Sequence, residues 1–381
     1  MTIISVSDTI VNDMERIGEQ FSKYLTRDKQ RQRTLSDILS FIMERGCVTR
    51  REIERDTGFS WGVVSASVAE LIQRGYVVER AQAVRTIGRQ SAVLEPCGDR
   101  VVAIGVDVNT TALGVRVVGF DLSCRWAKER PFTAKTQSEL ISDVFALIEE
   151  ALGTVKDKQV IGVGVAMQGY VDADSGTSIY FSGVSWQPIK LAALIEERFG
   201  VRAVIEHDPR CMLIARCVRQ KLKNAILLRV DNGIGLAVVQ DGAVLRDGGR
   251  LEIGHTVAER GGELCSCGRR GCLEAYSSIR GIEQRTGKGY EELVGSGEVR
   301  AFRTAGDYLA TAIYNLCALF APERVVVTGK LAQNAIFCDA IRRGCEPLLD
   351  DCTEIEIDHE ISASFGAAVV AVRSAITKNE I

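Results

Sequence analysis

Two kinds of hydrophobic spacing divide the chain. Between residues 34 and 95, apolar residues recur three or four positions apart, which is typical of short amphipathic helices. From residue 101 onward, apolar runs of strand length alternate with helical patterns, which is typical of an α/β fold. Ahead of both regions, a helical stripe predicts a leading helix that packs on the first region or on a partner subunit. Its residues are Ile10, Met14, Ile17, Phe21 and Tyr24.

The first region predicts three short helices. The first carries an apolar stripe between residues 35 and 42. The second begins at a capping box, in which the Thr49 hydroxyl and the Glu52 carboxylate each satisfy a free backbone amide. Gly58 closes that helix, and Ser60 is expected to cap the third.

Two short helices joined by a glycine-containing turn form a helix-turn-helix, whose second helix enters the DNA major groove. Strand-like runs at 76–78 and 88–94 predict a wing beside it, where Arg89 suits a phosphate or minor-groove contact. A small helical domain used only for protein contacts is the alternative. The residues predicted to contact DNA are Arg50, Ser60, Trp61, Gly62, Ser65 and Arg89.

The pattern of the second region predicts alternating strands and helices. Its first elements are strands at 101–108, 111–118 and 121–126, a helix at 138–152 and a strand at 160–166. A similar order repeats after Asn224, and a last helix is predicted at 364–376.

Length, charge and cysteine usage narrow the class of protein. A chain of 381 residues suggests two or three domains, and a net charge of −3 does not favour nucleic-acid binding over the whole surface. No apolar run is long enough to span a bilayer, and the N-terminus lacks the features of a signal peptide. The 12 cysteines suit a reducing compartment better than a disulfide framework. We therefore expect a cytoplasmic protein that does not associate with a membrane.

One histidine and three cysteines lie close together in the second region. The residues are His255, Cys265, Cys267 and Cys272. Their spacing, H-x9-C-x-C-x4-C, supplies the imidazole and thiolates of a closed tetrahedral zinc site. Glycines at 261, 262, 268 and 271 allow the tight bends that aim four ligands at one ion. The pattern therefore predicts a structural zinc loop, rather than cysteines that lie near a histidine by chance.

The same loop resembles a known family. The sequence EIGH, nine further residues and CSCGRRGCLE is similar to the signature of the ROK family (repressor, open reading frame, kinase), which combines bacterial sugar kinases with sugar-responsive regulators. The resemblance covers roughly residues 35–375 and extends to the predicted winged helix.

The resemblance implies a winged helix-turn-helix followed by a two-lobed actin-like/hexokinase (ribonuclease H-like) α/β domain. The implied domains are 1–95, with the leading helix and DNA-binding head, and 96–381, the sugar-binding domain. Within the second, lobe one takes about 100–210 plus the C-terminal helix 364–381, and lobe two takes about 211–363.

The three loops that hold ATP in the family's kinases are altered here. The first loop reads D-x-G-G-T in the kinases, and residues 107–111 read DVNTT. The second reads G-T-G-x-G, and residues 231–235 read DNGIG. The adenosine loop, usually G-G, is TGK at 328–330. Because a Cβ in such turns holds the backbone away from phosphate, we expect no ATP binding and no catalytic residues.

The resemblance implies a retained sugar site. Asp208 matches the carboxylate that removes a proton from the sugar hydroxyl in the kinases. Glu252, His255 and Glu274 match the sugar-hydroxyl contacts. The set makes chemical sense, because carboxylates accept hydrogen bonds from hydroxyls and zinc would hold His255 by one ring nitrogen, leaving the other for the ligand.

These features predict a sugar-responsive transcription regulator, a repressor that a sugar or sugar phosphate releases from its DNA operator. The expected assembly is a homodimer or a tetramer of such dimers, with structural zinc as cofactor. Two alternatives stay open. One is an ATP-dependent sugar kinase with a DNA-binding head, and the other is a regulator controlled by a partner protein instead of a sugar.

Overall fold

The computed structural model describes residues 27–81, 92–245, 251–346, 353–358 and 362–378. The predicted leading-helix stripe between residues 10 and 24 lies outside these residues, as does Arg89 of the predicted wing. Among the helices of the described ranges, none combines the length and the apolarity needed to cross a membrane.

In its described ranges, 27–81 and 92–96, the head consists of three helices and a two-stranded antiparallel sheet. Its elements are α1 (Arg27–Arg45), α2 (Arg50–Thr57), α3 (Trp61–Gln73), β1 (Val77–Arg80) and β2 (Val93–Pro96). The apolar stripes of α1 and α3 face each other, so that Leu35, Ile38, Val64 and Val68 are buried. This is the predicted helix-turn-helix with the base of a wing.

The ends of α2 form as predicted. The backbone amide of Thr49 donates to Glu52 Oε2 at 2.7 Å and the amide of Glu52 donates to Thr49 Oγ1 at 3.3 Å, which completes the capping box. Gly58 ends α2 with a φ of 74°. Ser60 is the N-cap residue of α3, as predicted, but its side chain makes no capping bond. Instead, its carbonyl accepts the first helical hydrogen bond, from the Val64 amide.

Lobe one is built on a five-stranded sheet with the order β5-β4-β3-β6-β9. Its strands are β3 (Val101–Val108), β4 (Ala112–Gly119), β5 (Cys124–Pro131), β6 (Gln159–Met167) and β9 (Ala203–His207), and β7 (Tyr170–Asp172) pairs with β8 (Thr177–Tyr180) apart from the sheet. Strand β3 matches its prediction, but the strand predicted at 121–126 begins at Cys124. The reason is a turn at Leu122, whose φ is 61° and whose amide bonds to the Gly119 carbonyl.

Helices cover both faces of this sheet. They are α4 (Gln137–Gly153) and α5 (Leu191–Phe199) on one face, and α6 (Asp208–Gln220) and α12 (Ala363–Thr377) on the other. Side chains of β3 alternate between the faces: Val102 and Ile104 pack with α4, and Val101 and Ala103 pack with α12. Burial on both faces explains why β3 carries no polar side chain from Val101 to Val106.

Lobe two has a second five-stranded sheet, with the order β12-β11-β10-β13-β14. Its strands are β10 (Ala225–Val230), β11 (Ile234–Gln240), β12 (Ala243–Val244), β13 (Arg324–Thr328) and β14 (Glu354–Ile357). Its helices are α7 (Glu274–Ser277), α8 (Ile279–Thr286), α9 (Tyr290–Gly295), α10 (Arg300–Phe320) and α11 (Ala335–Cys345), with short 3₁₀ turns at Ile253–His255 and Leu331–Gln333. Helix α6 contacts this sheet as well as α12, so α6 and α12 join the lobes.

The head and lobe one share one hydrophobic core. Leu39 of α1 and Leu94 of β2 belong to the same buried cluster as Phe120 of lobe one and Phe365 of α12. The rings of Tyr76 and Phe120 meet edge to face with centroids 5.2 Å apart. Because these apolar side chains of the head and of lobe one pack together, we expect the head to move together with lobe one.

Helix α12 lies unusually close to the strands of lobe one. A Cβ added to Gly105 of β3 would lie 1.8 Å from the Ser364 carbonyl oxygen, and one added to Gly164 of β6 would lie 1.9 Å from the Ala367 carbonyl oxygen. A Cβ on Gly366 would lie 1.8 Å from the Cys211 carbonyl oxygen of α6. These glycines let the backbones of α6, α12 and the sheet touch.

Gly105→Ala is therefore expected to destabilise the protein by about 1–3 kcal/mol or more, because the rigid helix backbone must shift. Urea unfolding measures the change. The matched control is Gly153→Ala, since Gly153 ends α4 with nothing within 4 Å of an added Cβ. Equal unfolding free energies for the two variants would contradict this packing account.

Candidate metal centre and ligand cleft

Four potential metal ligands converge on one point of lobe two. The ligand atoms of His255, Cys265, Cys267 and Cys272 all lie within 4.8 Å of one another. The Cys267 and Cys272 Sγ atoms are 3.7 Å apart, as are Cys265 Sγ and His255 Nδ1. Thiolates about 2.3 Å from a tetrahedral ion would be ~3.8 Å apart. The donor set and its spacing therefore fit a tetrahedral metal ion, with Nδ1 as the histidine ligand.

Tight turns give this loop its shape. Gly268 and Gly271 have φ values of 84° and 78°, and a Cβ on Gly271 would lie 1.6 Å from the Glu259 carbonyl oxygen. Behind the cluster, the rings of Tyr276 and Tyr308 stack with centroids 4.2 Å apart. Of the four glycines predicted to allow these bends, three have a positive φ: Gly261, Gly268 and Gly271.

Glu274 connects the metal loop to the loop at 231–235. Its Oε1 accepts a hydrogen bond from the Ser266 hydroxyl at 3.0 Å, and its Oε2 accepts one from the Ile234 amide at 3.4 Å. A Cβ on Gly254, beside His255, would lie 3.3 Å from Glu274 Oε2. Glu274 thus lies beside the backbone of the residue that precedes His255. Glu252 is exposed, and its carbonyl accepts from the His255 amide at 3.0 Å.

Asp208 lies at the first residue of α6, where the strand β9 ends, and is almost completely buried. One carboxylate oxygen faces His207 Nε2 at 3.5 Å. The other forms an ion pair with Nη1 of Arg229. Sequence reasoning did not identify Arg229, because a single basic residue in the apolar strand β10 gives no signal of a partner 21 positions away.

Arg229 is the centre of a buried charge cluster. Its Nε atom also donates to Asp231 Oδ2 at 2.6 Å, and its side chain is only 13% exposed. Burial alone would lower the pKa of Arg229, but the carboxylates of Asp208, Asp231 and Asp107 raise it above its usual value. The guanidinium therefore stays charged and neutralises part of this acidic group.

Asp107 is the third carboxylate of the cluster. Burial raises its pKa to about 7; Arg229 opposes the shift, and Asp208 adds to it. Asn109 donates to its Oδ2 at 3.2 Å. Asp107 lies at the end of β3, so β3, α6 and the loop after β10 each contribute one aspartate to the same place.

In the loops that match the ATP-holding loops of kinases, backbone amides donate hydrogen bonds to side-chain oxygens of the protein. Asn109 Oδ1 accepts from the amides of Thr111 and Ala112, both at 2.9 Å, and the Thr110 amide donates to Gln168 Oε1 at 3.0 Å. In the later loops, the Lys330 amide donates to Asp231 Oδ1 at 2.5 Å. Amides that could face a phosphate thus have protein acceptors.

The head presents an exposed surface at the start of α3. Trp61 is 47% exposed, Gly62 is exposed and Ser65 is half-buried. Arg50 does not lie free beside them, because it forms a two-point ion pair with Glu79 of β1, with Nη2 and Oε2 3.2 Å apart. DNA contact by these residues stays a prediction.

The two-lobed α/β part of the fold is found in solved structures: a ROK family glucokinase from Streptomyces griseus matches with a TM-score of 0.60 at 21% identity, covering 71% of this chain and 98% of that one. The sequence model of the ROK family matches residues 103–371, and the chain belongs to that family.

Individual relatives are repressors. The chain is 27% identical over 336 residues to the N-acetylglucosamine repressor of Escherichia coli O6:H1. The match covers 80% of this chain and 82% of that protein. It is 21% identical over 361 residues to the xylose repressor of Bacillus subtilis, and the match covers 90% of this chain and 91% of that protein. A solved ROK family transcriptional regulator, a homologue of the E. coli MLC protein, matches with a TM-score of 0.77 at 18% identity, covering 92% of this chain and 97% of that one.

Asp107 gives a pH-dependent prediction. Its pKa is higher in the folded protein than in the unfolded chain, where an aspartate titrates near ~3.9. Between pH about 4 and about 7, the folded state therefore binds more protons than the unfolded chain. The contribution of Asp107 to the unfolding free energy falls as pH rises through this range. We expect Asp107→Asn to gain stability relative to the wild type as pH rises through this range.

Urea unfolding at pH 5, 6, 7 and 8 measures this difference. The exposed Asp157→Asn is the control and should follow the wild type at each pH. A constant difference between Asp107→Asn and the wild type across the range would argue against a proton on Asp107.

Proposed function

We propose that this protein is a sugar-responsive DNA-binding regulator, a repressor that a sugar releases from its operator. The observation that carries the proposal is the core shared between the helix-turn-helix head and lobe one of a ligand-binding fold. Relatives that cover most of the chain are sugar repressors, which supports the same conclusion.

The proposed metal is structural zinc, held by His255, Cys265, Cys267 and Cys272. Three thiolates and an imidazole are a donor set that zinc prefers, and four protein ligands leave no open position for catalysis. When bound, zinc would fix the loop and the orientation of the imidazole. Because Nδ1 of His255 faces Cys265, Nε2 is the nitrogen available to a ligand.

The proposed sugar site comprises Asp208, Glu252, His255 and Glu274. Carboxylates accept hydrogen bonds from sugar hydroxyls, and the His255 imidazole can donate or accept. Glu274 already bonds to the loop at 231–235, so a sugar held by Glu274 and Asp208 would connect lobe two to the start of α6.

Phosphotransfer to the sugar is disfavoured by the same geometry. Asp208, the residue that matches the kinase base, has one oxygen in an ion pair with Arg229. The amides of Thr110 and Lys330, on loops that match phosphate and adenosine loops, donate to protein oxygens. We therefore assign no catalytic residue.

In the proposed mechanism, the lobes close about α6 and α12 when the sugar binds. The head follows lobe one because the two share a core, so closure changes the separation of the recognition helices in a homodimer. A sugar that prefers the closed state then weakens operator binding. Residues proposed to contact DNA are Arg50, Ser60, Trp61, Gly62, Ser65 and Arg89. Arg50 would do so by exchanging Glu79 for a phosphate.

The direct test of this function is a thermal-shift panel of hexoses, N-acetylhexosamines, pentoses and their phosphates, each with and without MgATP. A saturating ligand, at 100 times its Kd, stabilises the folded state by about 2.7 kcal/mol. A sugar-dependent shift that MgATP does not alter is expected. A shift with MgATP and formation of sugar phosphate would replace the proposal with the kinase alternative.

Metal content tests the zinc assignment. Cys267→Ser is expected to lose bound zinc and to lower the melting temperature, because a three-ligand site binds weakly and the loop loses its shape. The control is Cys124→Ser, an exposed cysteine of β5 outside the cluster, which should keep one zinc per chain. Wild-type protein that is metal-free and fully folded would contradict the assignment.

DNA binding by α3 is tested with Trp61→Ala. We expect specific operator affinity to fall by about tenfold or more, within the range of a lost base contact, while the melting temperature stays unchanged. The control, Leu319→Ala, removes another exposed apolar side chain, from α10, which is far from the head in the sequence. Equal operator affinities for both variants would exclude Trp61 from the interface.

A further inference from the structure

We infer that the buried cluster around Arg229 sets the charge class of the effector: the cleft accepts an uncharged sugar and excludes sugar phosphates and sugar acids. The inference rests on the proposed function of the cleft as a sugar site and deepens it. It follows from the balance between the charges that surround Asp208.

One guanidinium faces three aspartates in this cluster. Arg229 pairs with Asp208 through Nη1 and with Asp231 through Nε, and Asp107 is its third acidic neighbour. The Asp208 side chain is 2% exposed and that of Arg229 is 13% exposed, so water screens the group poorly. Even with Asp107 protonated, the cluster has more negative than positive charge.

The guanidinium offers little to an incoming anion. Its bonds to Asp208 and Asp231 are to carboxylates of the protein itself, which an anionic ligand would have to displace. Displacement would leave buried carboxylates without their counter-charge, which is strongly unfavourable.

Two neighbouring cations are paired with acids: Arg210 on α6 lies 3.1 Å from Glu206, and Lys330 Nζ lies 2.5 Å from Glu291. Arg116 of β4, which lines a pocket together with Asp107, donates from Nε to the Ser364 hydroxyl at 3.3 Å. Another acid, Glu274, lies beside the loop at 231–235, where it accepts from the amide of Ile234. A phosphate or carboxylate on the sugar would therefore meet an excess of negative charge.

An uncharged sugar does not meet this penalty. Its hydroxyls can donate to Glu274 and to the Asp208 oxygen that faces His207, and the ion pair with Arg229 is kept. Arg229 in this interpretation is a specificity-determining residue whose ion pair holds Asp208 in place as an acceptor.

The test compares matched pairs of ligands by titration calorimetry at pH 7.5. The probes are D-glucose and its 6-phosphate, N-acetyl-D-glucosamine and its 6-phosphate, and D-xylose and D-xylonate. In the wild type, an uncharged sugar that binds should do so at least about tenfold more tightly than its anionic partner, since like charges suppress wrong partners.

Asp231→Asn assigns the discrimination to the cluster. The amide keeps one oxygen, which can accept from either the Lys330 amide or Arg229 Nε, loses the other of these two bonds and removes one negative charge. We expect the affinity gap between sugar and anion to narrow by about tenfold or more, with the uncharged sugar little affected. The control is Asp241→Asn, an exposed residue of the turn between β11 and β12 whose φ of 50° asparagine tolerates.

The outcomes separate this inference from the proposed function. Binding of a sugar phosphate or sugar acid as tightly as its uncharged partner would overturn the inference and leave a sugar-responsive regulator. If the affinity gap between sugar and anion were the same in Asp231→Asn as in the wild type, the Arg229 cluster would not be the cause of the discrimination. Binding of no sugar at all would overturn the proposed sugar function, and this inference with it.

Discussion

The close contact between α12, α6 and the sheet of lobe one is the interaction on which the rest of the structure depends. Gly105, Gly164 and Gly366 bring backbone against backbone there, where any side chain would collide with a carbonyl oxygen. The same helix pair joins the lobes on one side and reaches the head on the other. A ligand that changes the arrangement of the two lobes is therefore expected to move α3 of the head as well, because packed helices connect the lobes to the head.

The charge cluster in the cleft explains how a kinase-like fold can serve as a receptor. Asp107, Asp208 and Asp231 lie at positions that match the first phosphate loop, the base and the second phosphate loop of the family's kinases. In this chain they surround a guanidinium of the protein itself, Arg229. Because this cation is fixed by a strand, it always offsets part of the acidic charge. In the function proposed above, this arrangement favours binding of a sugar without chemistry.

Local chemistry made much of this structure predictable. The capping box at Thr49, the strand at Val101–Val108 and the convergence of His255 with three cysteines depend on neighbours in sequence, and all are found in the structure. Long-range partners were not predictable. The pairing of Arg229 with Asp208 and of Arg50 with Glu79 joins residues that only the tertiary fold brings together. The strand start at Cys124 depends on a left-handed Leu122, a conformation that leucine rarely adopts and that its sequence does not signal.

The central claim is that a ligand in the cleft controls the affinity of the head for DNA. The most direct measurement is the Kd for a fluorescently labelled operator, by anisotropy, with and without a sugar that is shown to be bound. The account predicts a 5- to 150-fold weaker operator affinity in the presence of saturating sugar, which corresponds to a coupling of about 1–3 kcal/mol. An operator Kd that stays the same while the sugar site is filled would contradict it.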